Sequence, residues 1–150
     1  MIVLDTNIIS ELMRARHAAP PVSTWAAAQP PATLFTTSVS KAEIFYGIAI
    51  LPDGARRSSL AVLAEQMFNG IFARRVLAFD TAAAEHYAKI VAGRRGKGRP
   101  IQQFDALIAA IARGAGAQLA TRDADDFADC ELTVINPWRS DLPPSNEKTN

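Results

Sequence analysis

Apolar residues fall into two rhythms along this chain, and the rhythms alternate. Ile2-Val3-Leu4 is a short aliphatic run suited to a buried strand, and Asp5 follows it at once. Ile8, Ile9, Leu12 and Met13 then recur at helical spacing. Pro20-Pro21 suits the start of a second helix, with Val22, Trp25 and Ala26 on one face. Leu34-Phe35-Thr36-Thr37 reads as a second strand. Ser40 is the expected N-cap of the next helix, with Glu43 three residues later at the capping-box spacing. That helix carries Ile44, Phe45, Ile48 and Leu51 until Pro52-Asp53-Gly54 ends it. A long amphipathic helix is expected over residues 56–73, through Leu60, Leu63, Ala64, Met67 and Ile71.

Val76-Leu77-Ala78-Phe79 reads as a third strand, with Asp80 capping the helix after it. Residues 93–100 form a basic, glycine-rich stretch, expected as a loop. The helix beginning near Asp105 is apolar on nearly every side through Ala112, which places it in the interior. Ala117–Ala120 is a weak strand, and Thr133-Val134-Ile135 is a better one. Strands alternating with helices predict an α/β fold with a mainly parallel sheet covered on both faces.

The 150 residues suit one domain over 1–139, and the polar, Pro143-Pro144-containing stretch 140–150 is expected to be a disordered tail. With 49% hydrophobic and 21% charged residues the composition is globular. A net charge of +1 excludes a global basic field, so nucleic-acid binding requires a local patch. One cysteine, Cys130, excludes an internal disulfide, and no Cys/His cluster suggests zinc. A reducing cytoplasm is the expected setting. No apolar run approaches the roughly 18 residues of a membrane span, and the opening residues carry neither a basic leader nor a long apolar run.

The acids change the picture. Asp5 ends the first strand and Asp123 follows the fourth, and parallel sheets place ligands beyond the carboxyl ends of their strands. Glu43 and Asp105 lie near helix starts that open on the same edge. Taken singly, Asp5 and Asp123 also suit helix N-caps, and Glu43 suits the capping box of Ser40. Asp105 beside Phe104, Leu107 and Ile108 is harder to explain structurally, because a helix N-terminus offsets only about 0.3 to 1 kcal/mol of a buried charge. Taken together, like charges about 4 Å apart repel by roughly 4 kcal/mol at an effective dielectric near 20. Four clustered acids with no obvious lysine partner require cations, and hard oxygen donors favour magnesium or manganese. Such an ion lowers the pKa of a water and clamps phosphate oxygens in an in-line displacement.

Four segments carry a family resemblance. Ile2-Val-Leu-Asp-Thr-Asn-Ile-Ile-Ser-Glu11 resembles the opening of PIN domains, especially the VapC- and FitB-like toxins. Ser38-Val-Ser-Lys-Ala-Glu43-Ile-Phe-Tyr-Gly47, Asp105-Ala-Leu-Ile-Ala-Ala110 and Ala120-Thr-Arg-Asp-Ala-Asp-Asp-Phe127 look like the second, third and fourth motifs. Asn136-Pro-Trp138 is similar to the FitB-like ending, so the resemblance spans residues 1–139. It implies a three-layer α/β/α sandwich around a sheet of about five strands. It also implies a metal-dependent endoribonuclease, the toxin of a type II toxin–antitoxin system, with a cognate antitoxin and a homodimer as partners. On this resemblance Asp5, Glu43, Asp105 and Asp123 are the metal-binding and catalytic acids for Mg2+ or Mn2+. Thr6 and Thr121 match supporting hydroxyls, with Asp126 as an auxiliary acid. Phe104 stands where many relatives have a smaller side chain.

The basic stretch with Arg94, Arg95, Lys97 and Arg99 precedes Asp105 and is a candidate grip for RNA phosphates; the alternative is an ordinary solvated loop. His17 and His86 lack partners at metal-ligand or triad spacing, and Trp25, Tyr46 and Phe68 are expected to pack a core or an interface. A haloacid-dehalogenase-like phosphatase is the main rival enzyme, but that motif needs a second Asp at position 7, which is Asn here. A non-catalytic RNA- or antitoxin-binding module is the rival from another class, and the full quartet of acids speaks against it.

Overall fold

The computed structural model describes residues 1–139; the expected tail at 140–150 lies outside the described residues. The chain runs β1 (Ile2–Leu4), α1 (Thr6–Met13), α2 (Pro20–Ala28), β2 (Leu34–Thr37), α3 (Ser38–Ala49), α4 (Ala55–Gln66), β3 (Val76–Leu77), α5 (Thr81–Gly96), α6 (Gln103–Gly114), β4 (Gln118–Ala120) and β5 (Val134–Ile135). The five strands form one parallel sheet in the order β3-β2-β1-β4-β5. The chain grows away from β1 on one side through β2 and β3, then returns to add β4 and β5 on the other. The crevice at such a reversal, beyond the carboxyl ends of β1 and β4, is the natural ligand site of an open α/β sheet.

Alternation along the strands sorts the core into two layers. Ile2 and Leu4 face Ile8, Ile9, Val22, Ile44, Phe68 and Phe72 of the helical layer built by α1 to α4. Val3 and Leu119 face Ile90, Ile108, Ile111 and Phe127 of the layer built by α5 and α6. Each such fully buried aliphatic or aromatic side chain stabilises by about 1.5–3 kcal/mol, and the two layers together form the α/β/α sandwich. Within α6, Ala106 and Ile108 through Ala112 are all buried, as an interior helix requires. None of the described helices is long and apolar enough to cross a membrane.

Four elements depart from the sequence pattern. The N-cap of α3 is Thr37, whose Oγ1 accepts from the Ser40 backbone N–H at 3.0 Å, so the helix starts two residues before the expected cap. The helix expected over 56–73 ends as an α-helix at Gln66 and closes in a wider π-turn over Met67–Ile71. β3 is two residues long, half of its apolar run. Finally α5 continues through Gly96, so the first half of the expected basic loop, residues 93–96, is helix.

Candidate active site

Asp5 is the first residue past β1, and its backbone N–H continues the parallel ladder to Ala120 O at 2.9 Å. Its side chain caps α1: Oδ1 accepts from the Thr6 N–H at 2.7 Å. Oδ2 accepts from Thr121 Oγ1 at 2.7 Å and from Asn7 Nδ2 at 3.3 Å. Thr121 occupies the matching position past β4, with its N–H bonded to Ile135 O at 2.9 Å. Its hydroxyl also accepts from the Asp123 N–H at 3.1 Å. The two strand ends are therefore cross-linked by one carboxylate and one hydroxyl, both buried.

Asn7 joins this network from the first turn of α1. Its Nδ2 donates to Asp5, to Thr121 Oγ1 at 3.1 Å and to Asp123 Oδ2 at 3.2 Å. Its Oδ1 accepts from the Arg122 N–H at 3.2 Å. An amide that donates between two carboxylates is a role an ionised Asp cannot fill, which counts against the phosphatase reading. Asp123 sits at the start of a short 3₁₀ turn, Ala124–Phe127, but caps it with no side-chain hydrogen bond. Its carboxylate is turned towards Asn7 instead.

Because Thr37 caps α3, Glu43 lies in the second turn and carries no capping duty. The capping-box explanation of Glu43 is thereby removed. Asp105 lies in the first turn of α6. Asp5, Glu43, Asp105 and Asp123 line a single hollow of roughly 440 Å³ with Thr6, Asn7, Ser10, Glu11, Arg122 and Trp138. Among the described residues, none of the four acids is ion-paired with a lysine, arginine or histidine.

The electrostatics reflect this. Burial, then the charges of Asp5, Asp126 and Asp123, push the Asp105 carboxyl from the usual 3.8 up to about 6, against a smaller opposing pull from Arg94. Glu43 is raised by burial and by Asp5 and Asp105. Asp5 is raised by burial, partly offset by its hydrogen bonds to Thr121 and Thr6. The Thr6 hydroxyl is near enough to Glu43 to favour its charged form. It stops short of hydrogen-bond geometry, however, and remains a buried polar atom without a partner.

As these side chains stand, no three Asp, Glu, His or Cys groups among the described residues are close enough to grip one ion together. The donor set nevertheless fits a hard cation. It is all oxygen, it is uncompensated, and it includes an orphaned hydroxyl. Asp126 raises the pKa of Asp5 and Asp105, so it belongs to the acidic field. Its side chain lines a neighbouring hollow of roughly 250 Å³ rather than this one. His17 and His86 do not line the site. Phe68 is buried and Trp25 partly so, while Tyr46 is exposed. Phe104 is also exposed, beside Asp105.

The basic stretch behaves differently from the expected phosphate grip. Arg94 is buried, and its guanidinium is consumed by carbonyls. Nε donates to Arg99 O at 2.6 Å, and Nη1 donates to Asp126 O at 2.9 Å and Ala128 O at 2.6 Å. Arg94 is thus a structural staple for the turn after Asp123, and its assignment to RNA is corrected. Lys97 and Arg99 both pair with Asp129, at 2.8 and 3.3 Å. Only Arg95 of the four is exposed without such a partner among the described residues.

Sequence reasoning used Asn7 only against the phosphatase motif and Trp138 only as part of the family resemblance, and assigned neither them nor Arg122 to the site. The available signal was adjacency: Asn7 lies two residues from Asp5, and Arg122 immediately precedes Asp123.

A PIN domain model matches residues 2–131. The chain is 42% identical over 140 residues to the plasmid stability protein StbB of Pseudomonas syringae pv. tomato, covering 93% of this chain and 100% of that protein. It is 40% identical over 138 residues to the VapC ribonuclease Y4jK of Sinorhizobium fredii, covering 92% and 98%. Among solved structures, FitAcB from Neisseria gonorrhoeae matches with a TM-score of 0.82 at 33% identity, over 93% of this chain and 99% of that one.

Proposed function

The chain belongs to the PIN domain family, and from that premise we propose that it is the ribonuclease toxin of a toxin–antitoxin pair, cutting RNA with Mg2+ or Mn2+ held by Asp5, Glu43, Asp105 and Asp123. The observation that carries this reading is the hollow at the sheet's reversal point, lined by four carboxylates without a cationic partner among the described residues. A divalent ion bound there supplies Lewis acidity, lowering the pKa of an attacking water and neutralising charge on the phosphate.

The chain's own residues then divide the work. Asp5 is the rigid member, fixed by Thr6, Thr121 and Asn7 in one orientation. Asp123 is aligned with it through the shared Asn7 amide. Glu43 and Asp105 approach from helices on opposite faces of the sheet and have raised pKa values. A raised carboxylate is the stronger proton acceptor, so Glu43 is suited to take the proton of the attacking water. Thr6 offers its unpartnered hydroxyl to a water beside Glu43.

The antitoxin requires a docking surface, and Tyr46 of α3, Ile50 just after it, Val62 and Leu63 of α4, and Ile71 are all exposed. These exposed apolar side chains support docking of a partner helix or of a second copy of the chain. A cytoplasmic setting agrees with the free, buried Cys130.

The test is cleavage of total RNA by the purified protein in Mg2+, in Mn2+ and in EDTA, with ends mapped by sequencing. Asp5→Asn is expected to retain its circular dichroism spectrum and lose at least about 100-fold in cleavage rate, since even outer-shell ligand changes cost 10–100-fold. Undiminished cleavage by a folded Asp5→Asn protein, or cleavage by the wild type in EDTA, contradicts the reading.

A further inference from the structure

Four uncompensated carboxylates repel an approaching polyanion, so RNA must also meet positive charge supplied by the protein. The run at 94–99 supplies little of it at the hollow, because Arg94 is buried on carbonyls, Lys97 and Arg99 share Asp129, and the exposed Arg95 does not line the hollow. Among the residues lining the acidic hollow, the one lysine or arginine is Arg122.

Arg122 is exposed and, among the described residues, has no carboxylate partner, although acids follow it at 123, 125 and 126. Its guanidinium lies over the Trp138 ring instead, 5.4 Å from the centroid. The backbone on either side is anchored. The Arg122 N–H donates to Asn7, and its carbonyl accepts from Asn136 Nδ2 at 2.9 Å. The same Asn136 side chain accepts from the Trp138 N–H through Oδ1 at 3.0 Å. One amide thus registers the arginine and the indole with each other, and Asn7 registers both with the acids. A guanidinium held on an aromatic face keeps its fork of N–H donors available for a bidentate phosphate contact. Arg122 and Asp123 also line the neighbouring hollow, together with Asp125, Asp126 and Arg139.

We propose that Arg122 binds the phosphate adjacent to the scissile one in single-stranded RNA, with Trp138 and Asn136 as its positioning residues. This rests on the ribonuclease reading above and deepens it.

The test compares Arg122→Gln, Arg122→Lys and Trp138→Ala in two settings. In the otherwise wild-type protein, kcat and KM are measured on a single-stranded oligoribonucleotide in Mg2+. In the Asp5→Asn background, RNA binding is followed by fluorescence anisotropy across a KCl series. Arg122→Gln is expected to raise Kd and KM about 10-fold, with kcat changed by less than about 2-fold. The slope of log K against log salt should become shallower by about 0.7, the value for one lost phosphate contact on a single strand. Arg122→Lys should restore the slope but only part of the affinity, since the point charge lacks the fork. Trp138→Ala should weaken binding less than Arg122→Gln and leave the slope intact. Lys89→Gln, on the exposed side of α5, is the control and should change nothing. A wild type that cuts RNA beside an Arg122→Gln protein with the parental Kd and salt slope overturns this inference alone. A wild type that neither binds nor cuts RNA overturns the ribonuclease reading and this inference with it.

Discussion

The acids around the ends of β1 and β4 and the bases from the last turn of α5 to the start of α6 are both conspicuous charge clusters, yet the fold treats them in opposite ways. Around the hollow, Asp5 and Asp123 meet neutral donors, and burial with mutual repulsion raises Asp5, Glu43 and Asp105. In the basic segment nearly every cation is matched. Arg94 satisfies three carbonyls, and Asp129 is lowered chiefly by its hydrogen bond to Lys97 and by the charges of Lys97 and Arg99. The difference separates function from architecture. A charge that the protein itself satisfies is holding the chain together, and a charge it leaves unsatisfied awaits something from outside.

This contrast can be broken experimentally, and the largest effect belongs to the basic side. Arg94→Met leaves the carbonyls of Arg99, Asp126 and Ala128 without their donor, so unfolding should become easier by about 3 kcal/mol, read from urea denaturation. Lys97→Ala, three residues away, removes only a surface pair and should leave the midpoint within error. Comparable losses from both variants contradict the distinction drawn between staple and surface.

The acidic side predicts a smaller effect of distinctive sign. A carboxyl raised from 3.8 to about 6 binds its proton more tightly when folded than when unfolded. Ionised Asp105 therefore costs stability at pH 7.5, and that cost is relieved as the pH falls through about 6. Discounted for its half-exposed position, the gain is about 1–2 kcal/mol. Asp129 carries the opposite sign, stabilising above its ordinary value and losing that contribution as the pH falls through its lowered folded value. In EDTA the wild-type melting midpoint should rise relative to Asp105→Asn between pH 7.5 and 5. Adding Mn2+ at pH 7.5 should raise it more in the wild type than in the variant. Parallel pH curves for the two proteins contradict the assignment.

How much of this was legible beforehand depended on the range of the forces involved. The apolar rhythms around Ile2–Leu4, Ile8–Met13 and Asp105–Ala112 identified elements correctly, because burial periodicity is a local property. The resemblance in four segments pointed to the acids, and the fold brought all four to one hollow. The cap of α3 was misplaced because Thr37, Ser38 and Ser40 all carry a hydroxyl, and only the end of β2 decides between them. Arg94 was misread for a different reason. Its partners are backbone carbonyls more than thirty positions away at Asp126 and Ala128, and a carbonyl has no sequence signature. The bridging role of Asn7 was not legible, because an amide between two carboxylates is recognisable only when the two strand ends stand side by side.

The central claim is that the four carboxylates together hold a divalent ion, and diffraction from Mn2+-soaked crystals at the manganese absorption edge tests it most directly. An anomalous peak in the hollow, within coordination distance of Asp5 and at least two of Glu43, Asp105 and Asp123, is the predicted result. A protein that cuts RNA while its crystals show no peak there, with Asn7 still bridging Asp5 and Asp123, contradicts the account.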